Sequence, residues 1–272
     1  PAPSCDATGT DDDVWYKFTS AVSGSVRVEL KNYYYTLNNN TGITVQVYEG
    51  SCNGMVAVSC HSFSGYTYSY AESFGLEINA IASTEYYLRV FTPENSPVQF
   101  SNFSICAFTL PPPPSNDECT GAIPLQVASS TQCQNPVAGT TVSSAGSSVA
   151  GCYGVNVDDD VWYSFVASST QHRVTVTPAA TNSIQDYIAL QVFSGTCSSL
   201  TEMYCATSTG APTPAQQLMA GLTIGETYFI RVYSLYDNYT SRGDFEICIT
   251  TPNDECETAA LLTVNQVIVL IA

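Results

Sequence analysis

The octapeptide DDDVWYKF at residues 11–18 returns as DDDVWYSF at 158–165. Three more stretches recur in the same order, at offsets of 142 to 145 residues: VQVYEGSC (45–52) as LQVFSGTC (190–197), TEYYLRVF (84–91) as ETYFIRVY (226–233), and FSIC (103–106) as FEIC (245–248). A self-similar period of this length indicates two copies of one domain. A catalytic motif is seldom duplicated intact, so the repetition favours a structural building block.

Domain boundaries are marked by a second repeated feature. NDEC stands at 116–119 after PPPPS, and again at 253–256 after TP. Proline-rich junctions are natural boundaries. The sequence therefore predicts a complete unit at 115–251 and an incomplete first unit at 1–114, which has no counterpart of roughly 116–147. Residues 252–272 then supply only the beginning of a third unit.

The repeated stretches have the alternation of β-strands. Val14, Tyr16 and Phe18 alternate with Trp15 and Lys17, and the second copy repeats the pattern. Turn-forming residues separate such runs, and no window shows convincing helical periodicity. Many short strands in a domain of this size predict an all-β protein of tandem jelly-roll-like β-sandwich domains.

Composition excludes several classes of function. The chain has 24 acidic and only 7 basic residues, a net charge of −17, so it offers no cationic surface to nucleic acid or to an anionic membrane. The sequence has no apolar run of 18 residues, so it does not predict a membrane-spanning helix. Eleven cysteines without a C-x-x-C pair indicate disulfides and an extracellular location, and they argue against zinc.

The combined motifs carry a family resemblance. NDEC-x-x-A-x-x-L-x-V, DVWY-x-F, VY-x-G-x-C, I-R-V-Y and F-x-I-C resemble the tandem β-sandwich modules of secreted Bacteroidetes proteins that use type 9 secretion. Those modules are similar to bacterial pre-peptidase C-terminal domains. The resemblance covers 116–250 fully and 1–110 partly. It implies a module of a cell-surface adhesin or of a secreted hydrolase.

The cysteine spacings predict a disulfide framework. Cys52–Cys60 and Cys197–Cys205 are each eight residues apart and are expected to close short loops. In the complete unit, four more cysteines allow three connectivities. The preferred one is Cys119–Cys133 with Cys152–Cys248, because Cys5 and Cys106 then pair likewise in the first unit. Cys256 is left over, and an odd cysteine in a secreted chain indicates an intermolecular bond or a missing partner.

Acidic and aromatic clusters are the candidate binding sites. Carboxylates at Asp11, Asp13, Asp158 and Asp160 could contribute to a Ca²⁺ site, although a solvated acidic strand end explains them as well. No other cofactor is expected. Tyrosine side chains could form stacking platforms for surface glycans, although an ordinary half-buried strand face is the simpler explanation: Tyr33, Tyr34, Tyr35, Tyr66, Tyr68 and Tyr70.

Catalysis has little support in the sequence. His61 and His172 are not at matching positions, and QHRVTVT around His172 has the pattern of an exposed strand. No nucleophile-elbow, zinc-protease or Cys-His signature occurs. The sequence therefore predicts that the protein is not an enzyme.

The end of the sequence is apolar where the complete unit is polar. QVIVLIA (266–272) corresponds to SSTQCQN (129–135). The run from Val267 through Ile268, Val269 and Leu270 to Ile271 has high β propensity and must be buried. One hypothesis is that 253–272 of one chain completes the first unit of the next, by donor-strand complementation. If Cys5 and Cys106 are not paired with each other, Cys256 would then bond to one of them. The alternative is a normal third unit in a longer array.

Taken together, the sequence predicts a non-enzymatic extracellular or cell-surface repeat protein that serves as stalk, adhesin or filament subunit. Its expected partners are copies of itself or further repeats. The alternative is a glycan-binding accessory module of a secreted hydrolase.

Overall fold

The computed structural model describes residues 13–34, 43–63, 74–91, 102–128, 131–152, 157, 159–179, 187–209, 212–235 and 242–252. The chain divides into two compact units, Pro1–Pro112 and Pro113–Ala272. The division falls within the proline run that separates the two sequence copies.

The first unit is built from antiparallel strands in two sheets. One sheet has the order β1-β6-β3-β4 and the other the order β5-β2-β7. The strands are β1 (Val14–Thr19), β2 (Gly24–Tyr34), β3 (Ile43–Glu49), β4 (Val56–Phe63), β5 (Phe74–Ala80), β6 (Glu85–Phe91) and β7 (Asn102–Thr109).

The second unit begins with a short 3-10 helix, Cys119–Gly121, and three short strands: β8 (Ile123–Pro124), β9 (Val127–Ala128) and β10 (Val137–Thr140). Its longer strands are β11 (Asp160–Val166), β12 (Gln171–Pro178), β13 (Ile188–Thr196), β14 (Ser199–Thr207), β15 (Ala215–Ala220), β16 (Thr227–Ser234) and β17 (Asp244–Thr250). The sheets have the orders β14-β13-β16-β11-β8 and β10-β17-β12-β15, and β9 also pairs with β17.

The long strands of the two units match one for one. Strands β11 to β17 repeat the pairing of β1 to β7, and the register shift between Val47 and Tyr48 recurs between Val192 and Phe193. What the second unit adds is β8, β9 and β10, which come from the stretch without a counterpart in residues 1–114. The prediction of an all-β, disulfide-containing sandwich is confirmed.

The strand of the repeated octapeptide is buried in one unit and open in the other. In β11, Val161 and Tyr163 are fully buried between the sheets. Their counterparts in β1, Val14 and Tyr16, are 43% and 41% exposed. The alternating face of the repeated octapeptide is therefore buried in the second unit but not in the first. The reason is that β8 and the segment around it cover β11.

A stacked aromatic pair closes the core in the same way in both units. Phe18 stacks on Tyr86 with ring centroids 5.3 Å apart, and Phe165 stacks on Tyr228 at 5.6 Å. Each tyrosine hydroxyl accepts a hydrogen bond from a backbone N–H of the preceding turn, 2.9 Å away in both cases. This arrangement explains why the TEYYLRVF stretch is repeated.

The six cysteines of the second unit that the structure describes all form disulfides, but the predicted pairing is wrong. The bonds are Cys119–Cys197, Cys133–Cys248 and Cys152–Cys205. Cys197 lies in the turn after β13, whereas Cys205 lies far along β14, opposite Gln191. Six strand residues span roughly 20 Å, well beyond the reach of a disulfide. Each bond instead ties the segment before β11 to a later strand.

The described cysteines of the first unit are in a different state. Cys52 and Cys106 are exposed free thiols, and Cys60 is disulfide-bonded. The predicted Cys52–Cys60 and Cys5–Cys106 bonds are therefore wrong. Cys52 and Cys106 correspond to Cys197 and Cys248, whose partners both lie in 116–147.

Candidate functional site

A buried ion pair joins two of the repeated motifs in the second unit. The Arg231 guanidinium, from the IRV stretch of β16, donates to the Asp160 carboxylate that ends the DDD triplet, and both side chains are fully buried. The guanidinium also lies 5.8 Å from the ring of Trp162. A charged pair of this kind fixes the register of β11 against β16.

The loop before β11 closes over this ion pair. Ser147 donates to Asp160 from its backbone N–H at 3.1 Å and from its hydroxyl at 2.5 Å. Arg231 Nη1 donates to Val149 O at 2.8 Å and to Gln191 Oε1 at 3.0 Å. Arg231 Nη2 is buried without a hydrogen-bond partner, but the other contacts hold the ion pair within the protein, so the cluster is structural.

The first unit repeats the ion pair in a more open form. Arg89 Nε donates to Asp13 Oδ2 at 2.7 Å, with side chains 17% and 29% exposed. The Arg89 guanidinium lies 5.8 Å from the ring of Trp15. The paired arginines therefore neutralise the third aspartate of each triplet, and a calcium site at the triplets stays a prediction.

Several predicted site residues lie outside the described part of the chain: Cys5, Asp11, Tyr35, Tyr66, Tyr68, Tyr70, Asp158, Cys256, Val267, Ile268, Val269, Leu270 and Ile271. Tyr33 and Tyr34 fall at the end of β2. Among the described residues, no group of three or more His, Cys, Asp or Glu side chains is placed to hold a metal ion.

His172 is buried, contrary to the exposed position that its sequence pattern predicts. Its Nε2 accepts hydrogen bonds from the backbone N–H groups of Ser168 and Ser169, at 3.0 and 3.1 Å. Burial lowers the pKa of His172 below its usual value. The neutral imidazole thus caps a turn, which is a structural role.

The described part of the second unit contains a groove of about 760 Å³ at the β10 edge of the sandwich. The buried rings of Tyr163 and Phe245 lie beneath it and meet edge to face, with centroids 6.1 Å apart. A Cβ atom at Gly139 would collide with both rings, so glycine is required there. Burial raises the pKa of Tyr163 to about 12, which keeps its phenol neutral.

Polar side chains stand along the rim of the groove. Asp244 and Glu246 are exposed on one face of β17. Thr140 is directly opposite Asp244, and Thr177 is directly opposite Glu246. Two carboxylates and two hydroxyls therefore lie on the outer face of this edge, whereas Phe245 between the carboxylates points into the core.

The sequence reasoning missed this groove. The only signal was the alternation in DFEIC, where Asp244 and Glu246 must share a face. The first unit has Asn102 and Ser104 at the matching positions. The carboxylate pair is therefore private to the second unit.

The same aromatic pair is open in the first unit. Tyr16 and Phe103, the counterparts of Tyr163 and Phe245, also meet edge to face, at 6.2 Å. In the described part of the first unit, β1 and β7 are the last strands of their sheets at this side, whereas β11 and β17 pair with β8 and β10. We call Val14, Tyr16 and these two strand edges the open face.

Comparison with known families gives the identity of the two units. A family described as galactose binding domain-like, and associated with type 9 secretion, matches residues 2–105 and again 115–247. The chain belongs to this family. The type 9 secretion part of the predicted resemblance is thereby confirmed, and the similarity to pre-peptidase C-terminal domains stays a prediction. Family membership and the disulfides together indicate an extracellular protein.

Solved structures give weaker similarity, and no curated protein matches the chain. A complex of the plant peptide RALF23 with FER and LLG2 is 13% identical over 88% of this chain and 81% of that one, with a TM-score of 0.28. An uncharacterized protein from Burkholderia cenocepacia is 9% identical over 89% and 78%, with a TM-score of 0.26. The Clostridium perfringens ZmpB M60 catalytic domain with its CBM51 domains is 6% identical over 87% and 33%, with a TM-score of 0.22.

The galactose binding domain-like family is a family of binding modules. No helix among the described residues has the length and apolar character needed to cross a bilayer.

Proposed function

We propose that this protein is a non-catalytic adhesive module of the cell exterior, which holds a neutral glycan in the groove of its second unit. The observation that carries the proposal is the pair of exposed carboxylates, Asp244 and Glu246, which line the groove together with Thr140 and Thr177. The same site would serve an adhesin or an accessory module of a secreted hydrolase.

The chemistry of the rim selects the class of ligand. Ionised carboxylates accept hydrogen bonds only, and sugar hydroxyls are good donors to them. Thr140 and Thr177 add hydroxyls that can donate or accept. The two negative charges, on a chain of net charge −17, repel sialylated or sulfated sugars. Neutral hexose units are therefore the expected ligands.

A glycan array probed with the full chain tests this proposal. We expect binding to neutral hexose-terminated glycans and none to sialylated ones. The Asp244→Ala/Glu246→Ala variant should bind at least about tenfold more weakly, since buried or partly buried charge-assisted bonds contribute about 1.5–3 kcal/mol each. Glu226→Ala is the matched control, because Glu226 is an exposed carboxylate of the same unit away from the groove. An array without hits, or equal losses in both variants, would refute it.

The second candidate is a structural role in a stalk or filament, and the open face favours it. Exposed apolar strands with free edges are unstable in water and recruit further strands. A segment like 116–140 would bury Val14 and Tyr16 as their counterparts are buried. Residues 253–272 begin with the same NDEC motif and could supply such a segment to a neighbouring copy.

Light scattering and negative-stain microscopy of the chain 1–272 and of 1–252 test this second role. Fibres that vanish when 253–272 is deleted are the expected result. Monomers of both chains at high concentration would rule out assembly through this segment.

A further inference from the structure

The groove lies between the edges of the two sheets of the second unit. Residues 138–140, which line it, belong to β10, the last described strand of one sheet. Ile123, which also lines it, belongs to β8, the last described strand of the other sheet. Gly139 has no side chain, so β10 lies directly against the Tyr163 ring. The groove therefore has a strand edge on one side and an apolar wall, Ile123 with Pro114, on the other.

The register of β10 determines which of its backbone groups face the groove. Thr141 N donates to Gly243 O at 3.0 Å, so these two residues form a hydrogen-bonded pair. Hydrogen-bonded and non-hydrogen-bonded pairs alternate along an antiparallel ladder, so every second residue of β10, counted back from Thr141, bonds to β17. The backbone N–H and C=O groups of Ala138 and Thr140 therefore point away from β17, towards the edge that lines the groove.

These four backbone groups have no hydrogen-bond partner within the described part of the chain. The Thr140 hydroxyl is engaged, since it accepts from Val142 N at 3.1 Å, but the backbone groups are not. Ala138 is exposed, so its N–H is open to a ligand. The edge is short, because Pro136 before it has no N–H. It therefore offers two donors, which suit a small ligand better than an added peptide strand.

The carboxylates of the groove stand beside the same two residues. Asp244 is opposite Thr140, and Glu246 is opposite Ala138. Both are non-hydrogen-bonded pairs, in which the side chains lie closest together. The carboxylates are on the outer face of the sheet, whereas the free backbone groups lie in its plane. A ligand that bends around this edge therefore meets N–H donors on one side and carboxylate acceptors on the other.

We propose that the groove binds N-acetylated hexosamine units, with the acetamido group on the free edge of β10. The acetamido carbonyl accepts a hydrogen bond from Ala138 N, and its methyl group packs against Ile123 and Pro114. Neighbouring sugar hydroxyls donate to the carboxylates of Asp244 and Glu246. This inference rests on the glycan site proposed above and narrows its neutral sugars to the N-acetylated ones.

The chemistry of the edge separates an acetamido group from the two alternatives at the same sugar carbon. A hydroxyl provides an oxygen acceptor but no methyl group for the apolar wall. A protonated amine has no acceptor, so it leaves the backbone N–H unpaired, although the carboxylates attract its charge. The acetamido group matches both the N–H donor and the apolar wall.

Calorimetric titration of the full chain with three methyl glycosides tests the proposal. The glycosides differ only at one carbon, as 2-acetamido, 2-hydroxyl and 2-amino sugars, and are compared in both the gluco and the galacto series. We expect the 2-acetamido sugar to bind at least about tenfold more tightly than the other two. One hydrogen bond and one buried methyl group each contribute a factor of roughly three to ten.

The Ala138→Pro variant tests the placement on β10. Proline removes the free N–H and no bond of the ladder, which is the position where an edge strand tolerates it. The preference for the 2-acetamido sugar should fall to about twofold or less, with the affinity for the 2-hydroxyl sugar unchanged. Ala138→Ser keeps the N–H and is the matched control. Thermal melting checks that both variants fold, and the three-sugar comparison on the unmodified chain does not depend on them.

The outcomes separate this inference from the glycan site itself. Equal affinity for the 2-acetamido and 2-hydroxyl sugars, lost in Asp244→Ala/Glu246→Ala, would overturn the acetamido site and leave the glycan site standing. Tightest binding of the 2-amino sugar would show selection by charge and would also overturn it, as would an unchanged preference in folded Ala138→Pro. Binding of none of the three sugars would overturn both proposals.

Discussion

The ion pairs of the two units provide a matched experiment on one motif. Asp160→Asn removes the charge from a fully buried pair, whereas Asp13→Asn removes it from a pair whose side chains are 17% and 29% exposed. The substitutions are chemically identical and occupy the same position in the repeat. Any difference between them therefore measures the effect of burial.

The expected loss of stability depends on how each arginine is left after its aspartate partner has been neutralised. After Asp160→Asn, Arg231 remains buried with only neutral acceptors, among them Gln191 Oε1 and Val149 O. Leaving one charge of a buried pair uncompensated costs about 3–5 kcal/mol. Arg89 can turn towards water, so Asp13→Asn is expected to cost at most about 1 kcal/mol. The second unit should therefore lose at least about 2 kcal/mol more than the first.

Unfolding in urea measures both effects. The chain has two tryptophans, and each lies against the arginine of its own unit. In a Trp15→Phe background, Trp162 fluorescence reports the second unit alone, and calorimetry follows the first. The double variant Asp160→Asn/Arg231→Met should recover part of the lost stability, because it also removes the stranded charge. Equal losses at Asp13 and Asp160, or no recovery in the double variant, would refute the argument.

Three further outcomes follow from the second unit. Gly139→Ala should destabilise it by about 1–3 kcal/mol through the collision with the Tyr163 and Phe245 rings, whereas Gly54→Ala, which meets open space, should be nearly neutral in the first unit; urea midpoints compare the two. The pKa of His172 is lowered in the folded state, so below pH about 6.5 the folded state binds fewer protons than the unfolded chain. The free energy of unfolding should therefore fall on acidification. Calorimetry from pH 8 to 4.5 should find a shallower fall in the His172→Gln variant. Reduction of the three disulfides should lower the melting temperature, since each closes a loop worth about 4–5 kcal/mol on the chain-entropy estimate; an unchanged melting temperature, or a non-reducing peptide map with other pairs, would contradict the structure.

The strands were predictable because their pattern is local. Alternation in DVWYSF places Val161, Tyr163 and Phe165 on one face, and the structure buries all three. The ion pair was not predictable in the same way, because Asp160 and Arg231 are 71 residues apart and meet only after β11 pairs with β16. Repetition of both motifs was the sign that they belong together.

The disulfides show why spacing alone misleads. The seven residues between Cys197 and Cys205 look like a short loop, but most of them belong to one arm of a hairpin, and a straight strand keeps its ends apart. The pairing is set by where the chain of 113–152 crosses the finished sandwich. That path is part of the tertiary structure, so the connectivity of the disulfides cannot be deduced from the sequence alone.

The groove depends on the same segment, and it is the feature that sequence patterns predict least well. The rings beneath it are Tyr163 from one sheet and Phe245 from the other, and its edge needs a residue without a side chain at position 139. The first unit has the same two aromatic positions, yet without a β10 counterpart among its described strands Tyr16 stays exposed and Phe103 is only partly buried. One inserted segment thus accounts for the three disulfides, the sealed ion pair and the groove. A chain that supplies this segment to the first unit would close its core in the same way, but Asn102 and Ser104 would give that groove a neutral rim.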